Sequence, residues 1–188
     1  MTFEPIAIVG RACLLPGADS PDALWQAVLD GRDLVSNCPT GRWGLSSRAA
    51  LGTPEDAADR TWSDRGGYVR DFQFDPTGYE VPAERLEPLD PLFQWLLHTG
   101  RQALADANPS SLARAGAVVG NLSFPSNGFS RFAERVWLGD DRADAADVPA
   151  SDPRNRFMSG LPAHLLAQAL GLGGRAFALD AACASSLY

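Results

Sequence analysis

Three short apolar runs, separated by segments with helical periodicity, constrain the fold of this 188-residue chain more than any other feature. The runs cover residues 6–9, 117–119 and 176–179, the last in a predicted strand that extends to Asp180, and the first two are followed directly by a glycine. Short apolar runs bounded by turn residues predict buried strands. Because strands that alternate with helices are typical of α/β proteins, the sequence predicts an α/β fold.

The predicted helices have clear start and stop signals. Ser20-Pro21 predicts a helix that ends before Gly31, and Asp90-Pro91 predicts the longest helix, which ends at Asn108-Pro109. Two further apolar-periodic segments predict helices over about 129–137 and 162–170, the latter ended by the glycines of 171–174. Between them, the acidic segment 139–153 predicts a solvated loop.

Residues 32–89 show little periodicity. Many Gly, Pro, Ser, Arg and Asp residues predict a long irregular segment, with one short helix and a short strand near residues 67–69. A segment of this length without regular structure is usually functional or part of an interface.

The charged residues exclude several classes of protein. The chain has 23 acidic residues and 16 basic residues, all of them arginine, for a net charge of -7. No basic face is visible, so the sequence argues against a nucleic-acid binder. The absence of lysine excludes a lysine Schiff base and a Walker lysine within these residues.

The cysteines and the apolar runs bear on the compartment. Three widely spaced cysteines and no C-x-x-C pair predict a reduced protein of the cytoplasm. No run approaches the roughly 20 apolar residues of a membrane helix, and the start of the chain lacks the pattern of a signal peptide.

Cys183 is the strongest candidate for a catalytic residue. It directly follows the predicted strand 176–180, at the expected start of a helix and among small residues. A helix start favours the reactive thiolate, and the N–H of Cys183 could stabilise a thioester oxyanion. The alternative is a small core residue, which is how most intracellular cysteines behave.

The remaining polar candidates have simpler interpretations. His98 and His164 fall on predicted helices, where we expect packing or partial exposure. Cys13 and Cys38 are expected to be structural, and residues 185–186, both serines, to pack against and cap the new helix. The glycines of 171–174 do not match a dinucleotide-binding motif, because they follow a helix instead of a strand.

Several motifs, in order along nearly the whole chain, resemble those of β-ketoacyl synthases, the condensing enzymes of fatty-acid and polyketide assembly. The segment 180–187, Asp-Ala-Ala-Cys-Ala-Ser-Ser-Leu, resembles their nucleophile motif. Residues 6–10, 89–91 (Leu-Asp-Pro) and 155–156 (Asn-Arg) resemble other family signatures. The resemblance implies a thiolase-like layered α/β/α sandwich, of which residues 1–188 form the N-terminal half, ending just after the nucleophile.

The resemblance also indicates a subtype. Residues 90–94 with His98, and residues 178–188, look most like the ketosynthases of polyunsaturated-fatty-acid synthases. Modular polyketide synthases more often have Thr-Ala-Cys-Ser-Ser-Ser, from which Ala184 departs.

The implied activity is acyl transfer followed by condensation. The resemblance implies that Cys183 accepts an acyl chain, as a thioester, from the phosphopantetheine arm of an acyl carrier protein. A malonyl unit would then lose carbon dioxide and attack that thioester. The family's two catalytic histidines and its lysine belong to the other half of the domain, and none can be assigned to a residue of this chain.

The resemblance also implies partners and cofactors. The partners are an acyl carrier protein, other synthase domains and a second copy of the chain, with residues 176–180 near the dimer contact. No directly bound cofactor or metal is implied.

Two other functions remain open. The chain could be a catalytically silent fragment that serves as a dimerisation or interaction module. It could also belong to a related thiolase-type enzyme that uses coenzyme A thioesters.

Overall fold

The computed structural model describes residues 4–43, 46–53, 58–121, 126–157, 159–185 and 187. Within these residues the α-helices are α1 Pro21–Leu29, α2 Ser47–Ala50, α3 Ala83–Leu86, α4 Pro91–Ala107, α5 Asn127–Leu138, α6 Asp140–Ala145 and α7 Leu161–Ala169. The strands in the same ranges are β1 Ser36–Asn37, β2 Arg65–Gly66, β3 Ala117–Gly120 and β4 Ala176–Leu179. Short 3-10 helices span Pro153–Arg156 and Ala182–Ala184. No helix in these described ranges is long and apolar enough to cross a membrane.

The chain forms two compact units, one of residues 12–73 and one of residues 1–11 with 74–188. In the smaller unit, β1 pairs with β2 in an antiparallel ladder. The Arg65 guanidinium of β2 lies 2.6 Å from the carboxylate of Asp33, which precedes β1 in the sequence. Both strands have only two residues, so this unit is largely irregular, as the composition of residues 32–89 predicts.

The larger unit is built on a parallel pair of strands. β3 and β4 pair in register from Ala117 with Ala176 to Gly120 with Leu179. Parallel strands need a long crossover connection, and here α5, α6 and α7 form it. The α/β prediction for this part of the chain is therefore confirmed.

Helix α4 supplies the centre of the core. Its residues Phe93 and Leu97 are buried in one apolar cluster with Leu86, Leu165 and Leu166. The apolar positions of α4 recur every three to four residues, and this spacing places them on one helix face. The predicted helix from Asp90-Pro91 to Asn108 is confirmed, because Asn108 ends it with a left-handed φ of 43°.

The other predicted helices are confirmed with small shifts. Ser20 caps α1 by accepting a hydrogen bond from the Ala23 N–H, and Gly31 follows the helix with a φ of 63°. Helices α5 and α7 occupy the two later helical segments. Gly171, with a φ of 65°, ends α7 in the way that the glycines of 171–174 predict.

The first predicted strand is wrong. Residues 4–10 form no strand, and Ile6 and Ile8 are 89% and 85% exposed instead of buried. A strand requires a ladder partner, and within the described residues this segment has none. Its end is fixed on α4 instead, where the Arg11 N–H donates to the Asp106 carboxylate at 2.8 Å.

Two local predictions also need correction. The acidic segment 139–153 is partly helical: α6 begins at Asp140, and Arg135 binds the carboxylates of Asp140 and Asp144 at 3.2 and 2.8 Å. These ion pairs, which join residues five and nine apart, leave no periodic apolar signal in the sequence. The short strand expected at 67–69 lies earlier, at Arg65–Gly66, where the chain pairs with β1.

Buried polar groups join the elements of the larger unit. The Asp90 carboxylate, 7% exposed, accepts from the N–H of Leu92 at 3.0 Å and from the N–H of Gly128 at 2.7 Å. Leu92 is in the first turn of α4 and Gly128 in the first turn of α5. One carboxylate therefore lies at two helix N-termini, where unpaired N–H groups and the helix dipoles favour negative charge.

Asn155 and Ser151 close this arrangement. Asn155, 3% exposed, accepts from the Asp90 N–H at 3.0 Å and donates to the Ser151 hydroxyl at 3.0 Å. The Ser151 hydroxyl in turn donates to the Gly128 carbonyl at 3.2 Å. We call Asp90, Gly128, Ser151 and Asn155 the Asp90 network.

Replacing Gly128 by alanine tests the network. A Cβ atom at Gly128 would lie 2.8 Å from Cγ and 3.0 Å from Cβ of Asn155. Asn155 is buried and held on two sides, so it cannot move aside freely. We expect Gly128→Ala to lower the free energy of unfolding by about 2 kcal/mol, because the cost of overpacking exceeds the helix propensity gained.

The matched control is Gly160→Ala, where a Cβ atom would meet nothing within 4 Å. We expect it to change the free energy of unfolding by less than about 0.5 kcal/mol. Chemical denaturation of both variants and the wild type measures the difference. Equal stability of the two variants would contradict the described packing of Gly128 on Asn155.

Candidate active site

Cys183 lies in a turn that directly follows β4. Asp180 is the first residue beyond the strand, and the 3-10 helix Ala182–Ala184 contains the cysteine. We call residues 180–185 the cysteine turn. Since β3 and β4 are parallel, the turn lies at the edge where both strands end. Open α/β sheets bind their ligands beyond this edge. The helix predicted at Cys183 is here a short 3-10 turn.

The end of β3 supports the cysteine turn. The N–H of Asn121 donates to the Leu179 carbonyl at 3.0 Å, which extends the pairing of the two strands. At Gly120 a Cβ atom would lie 3.2 Å from the carbonyl oxygen and 3.3 Å from the Cβ of Ser185. The absence of a side chain at Gly120 therefore allows the turn to pack closely on the strand end.

Side-chain hydrogen bonds hold the backbone of the turn. The Asp180 carboxylate accepts from the Ala182 N–H at 3.1 Å. The Ser185 hydroxyl accepts from the Ala181 N–H at 2.9 Å and donates to the Ala182 carbonyl at 2.8 Å. The two residues before Cys183, Ala181 and Ala182, are thus both bound by side chains of the same turn.

Ala182 has a backbone conformation that alanine rarely adopts. Its φ is 49°, in the left-handed region. For a residue with a Cβ atom this region costs roughly 1–2 kcal/mol. Strain of this kind persists only where the surrounding structure imposes it, and it concentrates at functional sites.

Cys183 itself is exposed. Among the described residues, the backbone hydrogen bonds of the turn use the N–H groups of Ala184 and Ser185 but not that of Cys183. The thiol and an available N–H donor are therefore adjacent at the surface. The thiol sulfur can attack a carbonyl carbon, and the N–H can donate a hydrogen bond to the oxyanion that forms.

The other two cysteines have different surroundings. Cys13 and Cys38 are both half-buried and free. Burial raises the pKa of the Cys13 thiol, and the nearby negative charge of Asp19 raises it further. The Cys38 thiol lies 3.5 Å from the Pro39 carbonyl oxygen, to which it donates. These environments fit the structural roles that the sequence predicts.

The histidines lie in the body of the larger unit. His98 is half-buried on α4 and His164 is exposed on α7, which agrees with the predicted packing or surface positions. In the described part of the chain, no group of three or more His, Cys, Asp or Glu side chains is arranged to hold a metal ion.

The hydrogen bonds of Ser185 differ from those that the sequence predicts. Its hydroxyl does not cap a new helix but joins Ala181 to Ala182 on the other side of the cysteine. The only sequence signal is its position two residues after Cys183. Ser186, for which the same role was predicted, lies outside the described residues.

Comparison with known proteins identifies the family. Residues 3–188 match the family model described as "Beta-ketoacyl synthase, N-terminal domain". The chain is 33% identical over 187 residues to the mycocerosic acid synthase-like polyketide synthase of Mycolicibacterium smegmatis, which covers 97% of this chain and 8% of that protein. The chain thus spans less than a tenth of the length of this curated relative.

Solved structures agree. The structure described as PfaC Keto synthase-Chain length factor superposes with a TM-score of 0.86 at 37% identity, covering 97% of this chain and 21% of that one. The oxazolomycin ketosynthase domain OzmH KS7 of Streptomyces albus JA3453 gives a TM-score of 0.75 at 26% identity, with 96% and 29% covered. The chain therefore belongs to the β-ketoacyl synthase N-terminal domain family, and the predicted thiolase-like α/β fold is confirmed.

The exposure of the three thiols predicts an order of chemical modification. We expect iodoacetamide at about pH 8 to label Cys183 first, because it is exposed and Cys13 and Cys38 are half-buried. The raised pKa of Cys13 further lowers its share of reactive thiolate. Peptide mapping by mass spectrometry over a time course gives the order.

The control is the same reaction in a denaturant, in which the three cysteines should react at similar rates. Faster labelling of Cys13 or Cys38 than of Cys183 in the folded chain would contradict the described exposure.

Proposed function

We propose that this member of the β-ketoacyl synthase family carries the acyl-accepting nucleophile of a condensing enzyme, and that the nucleophile is Cys183. The observation that supports this most directly is the geometry of the cysteine turn. An exposed thiol lies beside an available backbone N–H, at the carboxyl edge of two parallel strands. The similar proteins include polyketide synthases and ketosynthase domains.

The proposed first step is a transfer between thioesters. The Cys183 sulfur attacks the carbonyl carbon of an acyl chain carried on the phosphopantetheine of an acyl carrier protein. A new C–S bond forms, the oxyanion accepts a hydrogen bond from the Cys183 N–H, and the C–S bond to the carrier breaks. The released carrier thiolate takes up the proton that the Cys183 thiol gave up, so atoms and charge balance.

The proposed second step is decarboxylative condensation. A malonyl unit loses carbon dioxide, and its carbanion attacks the Cys183 thioester, breaking the C–S bond and releasing the thiolate. We assign no histidine or lysine of this chain to that step. The chain contains no lysine, and His98 and His164 lie on α4 and α7 in the positions described above.

The proposal includes partners and a location. The carrier protein and other synthase domains are the partners that this chemistry requires, and the reducing cytoplasm would keep the three free thiols available. We also propose a homodimer that forms near β4, which among the described strands pairs only on the side of β3. Residues 90–94 and 178–188 favour polyunsaturated fatty acids over polyketides as the class of product, and this choice stays a prediction.

One observation favours a second candidate function, an interaction module. Val118 and Phe177 are partners in the register of β3 and β4, and they are 57% and 45% exposed. Exposed apolar neighbours on a sheet commonly mark an interaction surface. A chain that associates through this face but never accepts an acyl group would have this function instead.

Acyl loading tests the main proposal. We expect incubation with a hexanoyl-loaded acyl carrier protein to add one hexanoyl group to the chain, as measured by intact-protein mass spectrometry. Cys183→Ala should abolish the addition, because it removes the attacking sulfur. The matched control, Cys38→Ala, removes a half-buried thiol and should load like the wild type.

Acylation of the Cys183→Ala variant at the wild-type rate would contradict the proposal, as would a wild-type chain that never loads. The same assay with hexanoyl-coenzyme A separates the thiolase-type alternative. Faster loading from coenzyme A than from the carrier protein would favour that class of enzyme.

A further inference from the structure

We propose that Ser185 is a positioning residue for Cys183: its hydroxyl fixes the backbone before the cysteine so that the Cys183 N–H stays free to bind the acyl oxyanion. The inference rests on the proposed function, because it concerns the same acyl transfer. It adds a residue that makes no bond to the substrate and acts only through the shape of the turn.

The hydroxyl of Ser185 makes two hydrogen bonds on the opposite side of the cysteine. Its oxygen accepts from the Ala181 N–H at 2.9 Å, and its proton is donated to the Ala182 carbonyl at 2.8 Å. A hydroxyl is one of the few side-chain groups that can donate and accept at the same time. Alanine at this position would lose both bonds.

These bonds act on the strained part of the turn. Ala182, with its φ of 49°, is bound through its carbonyl by Ser185 and through its N–H by Asp180. An alanine returns to a negative φ when nothing holds it. Such a change would rotate the peptide group that joins Ala182 to Cys183, and with it the Cys183 N–H.

The position of Ser185 is itself fixed by the sheet. The end of β3 lies against it, since a Cβ atom at Gly120 would be 3.3 Å from the Ser185 Cβ and 3.2 Å from its carbonyl oxygen. The hydroxyl therefore transmits the position of the strand end to the residues before the cysteine. This contact is the reason why Ser185 can define the direction of an N–H two residues earlier.

The hydrogen bonds of the turn divide the N–H groups of residues 181–185 into two classes. Those of Ala181 and Ala182 are bound by side chains, and those of Ala184 and Ser185 by backbone carbonyls. Of these five described residues, Cys183 is the one whose N–H this pattern leaves available. A donor fixed before the reaction stabilises a developing oxyanion without reorganisation.

Two reactions of the same thiol separate positioning from general disruption. Acyl transfer from hexanoyl-pantetheine passes through an oxyanion, whereas alkylation by iodoacetamide displaces iodide and forms none. We expect Ser185→Ala to slow acylation about ten- to a hundredfold, since losing an oxyanion donor outright costs about 10²–10³ in rate. The alkylation rate of Cys183 should stay within about twofold of the wild type, because the thiol remains exposed.

Two further variants complete the experiment. Ser185→Thr keeps a hydroxyl and should recover much of the acylation rate lost in Ser185→Ala. Ser111→Ala is the matched control, because Ser111 also accepts from a backbone N–H, that of Ala113, but in the loop before β3. It should change neither rate.

Each outcome decides a different point. Wild-type rates of acylation in Ser185→Ala would overturn the inference, as would an equal fall in acylation and alkylation, which indicates a disrupted turn or fold. A wild-type chain that is alkylated at Cys183 but never acylated would overturn the proposed function, and the inference with it. Slower acylation with unchanged alkylation supports both.

Discussion

The larger unit depends on one buried carboxylate that two helices share. Asp90 accepts hydrogen bonds from the first turns of α4 and α5, and its own N–H is bound by Asn155. A buried charge is tolerated only where several donors compensate its lost hydration. The N-termini of α4 and α5 must therefore both lie within hydrogen-bond distance of the Asp90 carboxylate. Their common origin fixes α4, which carries the core, relative to α5, the first helix after β3.

This constraint reaches the candidate site through the connection between the strands. Helix α5, the segment around Asn155 and helix α7 form the crossover from β3 to β4. The Asp90 network holds the middle of that crossover, and α7 packs on α4 in the apolar cluster. Because the crossover is fixed both by the Asp90 network and by the packing of α7 on α4, β4 pairs with β3 in a defined register. The ends of both strands, which support the cysteine turn, are thereby aligned.

The cysteine turn is held by the same kind of hydrogen bond as the Asp90 network. In both places a short polar side chain binds backbone N–H groups that secondary structure leaves unpaired. Asp90 satisfies the N–H groups that it meets. Asp180 and Ser185 instead bind the N–H groups of Ala182 and Ala181, which precede Cys183, and the Cys183 N–H stays available beside an exposed thiol. This difference makes the second arrangement suited to a reaction.

The sequence alone predicted α1, α4, α5 and α7, the strands at 117–119 and 176–180, the family and Cys183 as the candidate nucleophile, because local periodicity, capping residues and a short motif encode them. It did not predict the exposure of residues 6–9, the helix α6 or the hydrogen bonds of Ser185. An apolar run predicts a strand whether or not a partner strand is adjacent. The acidic residues of α6 are bound by Arg135, which lies outside that helix. The hydrogen bond from the Asp90 N–H to the Asn155 side chain joins residues 65 apart in sequence, so it likewise forms only when the elements pack. Hydrogen-bond partners distant in sequence carry no local signal, so only the tertiary structure determined them.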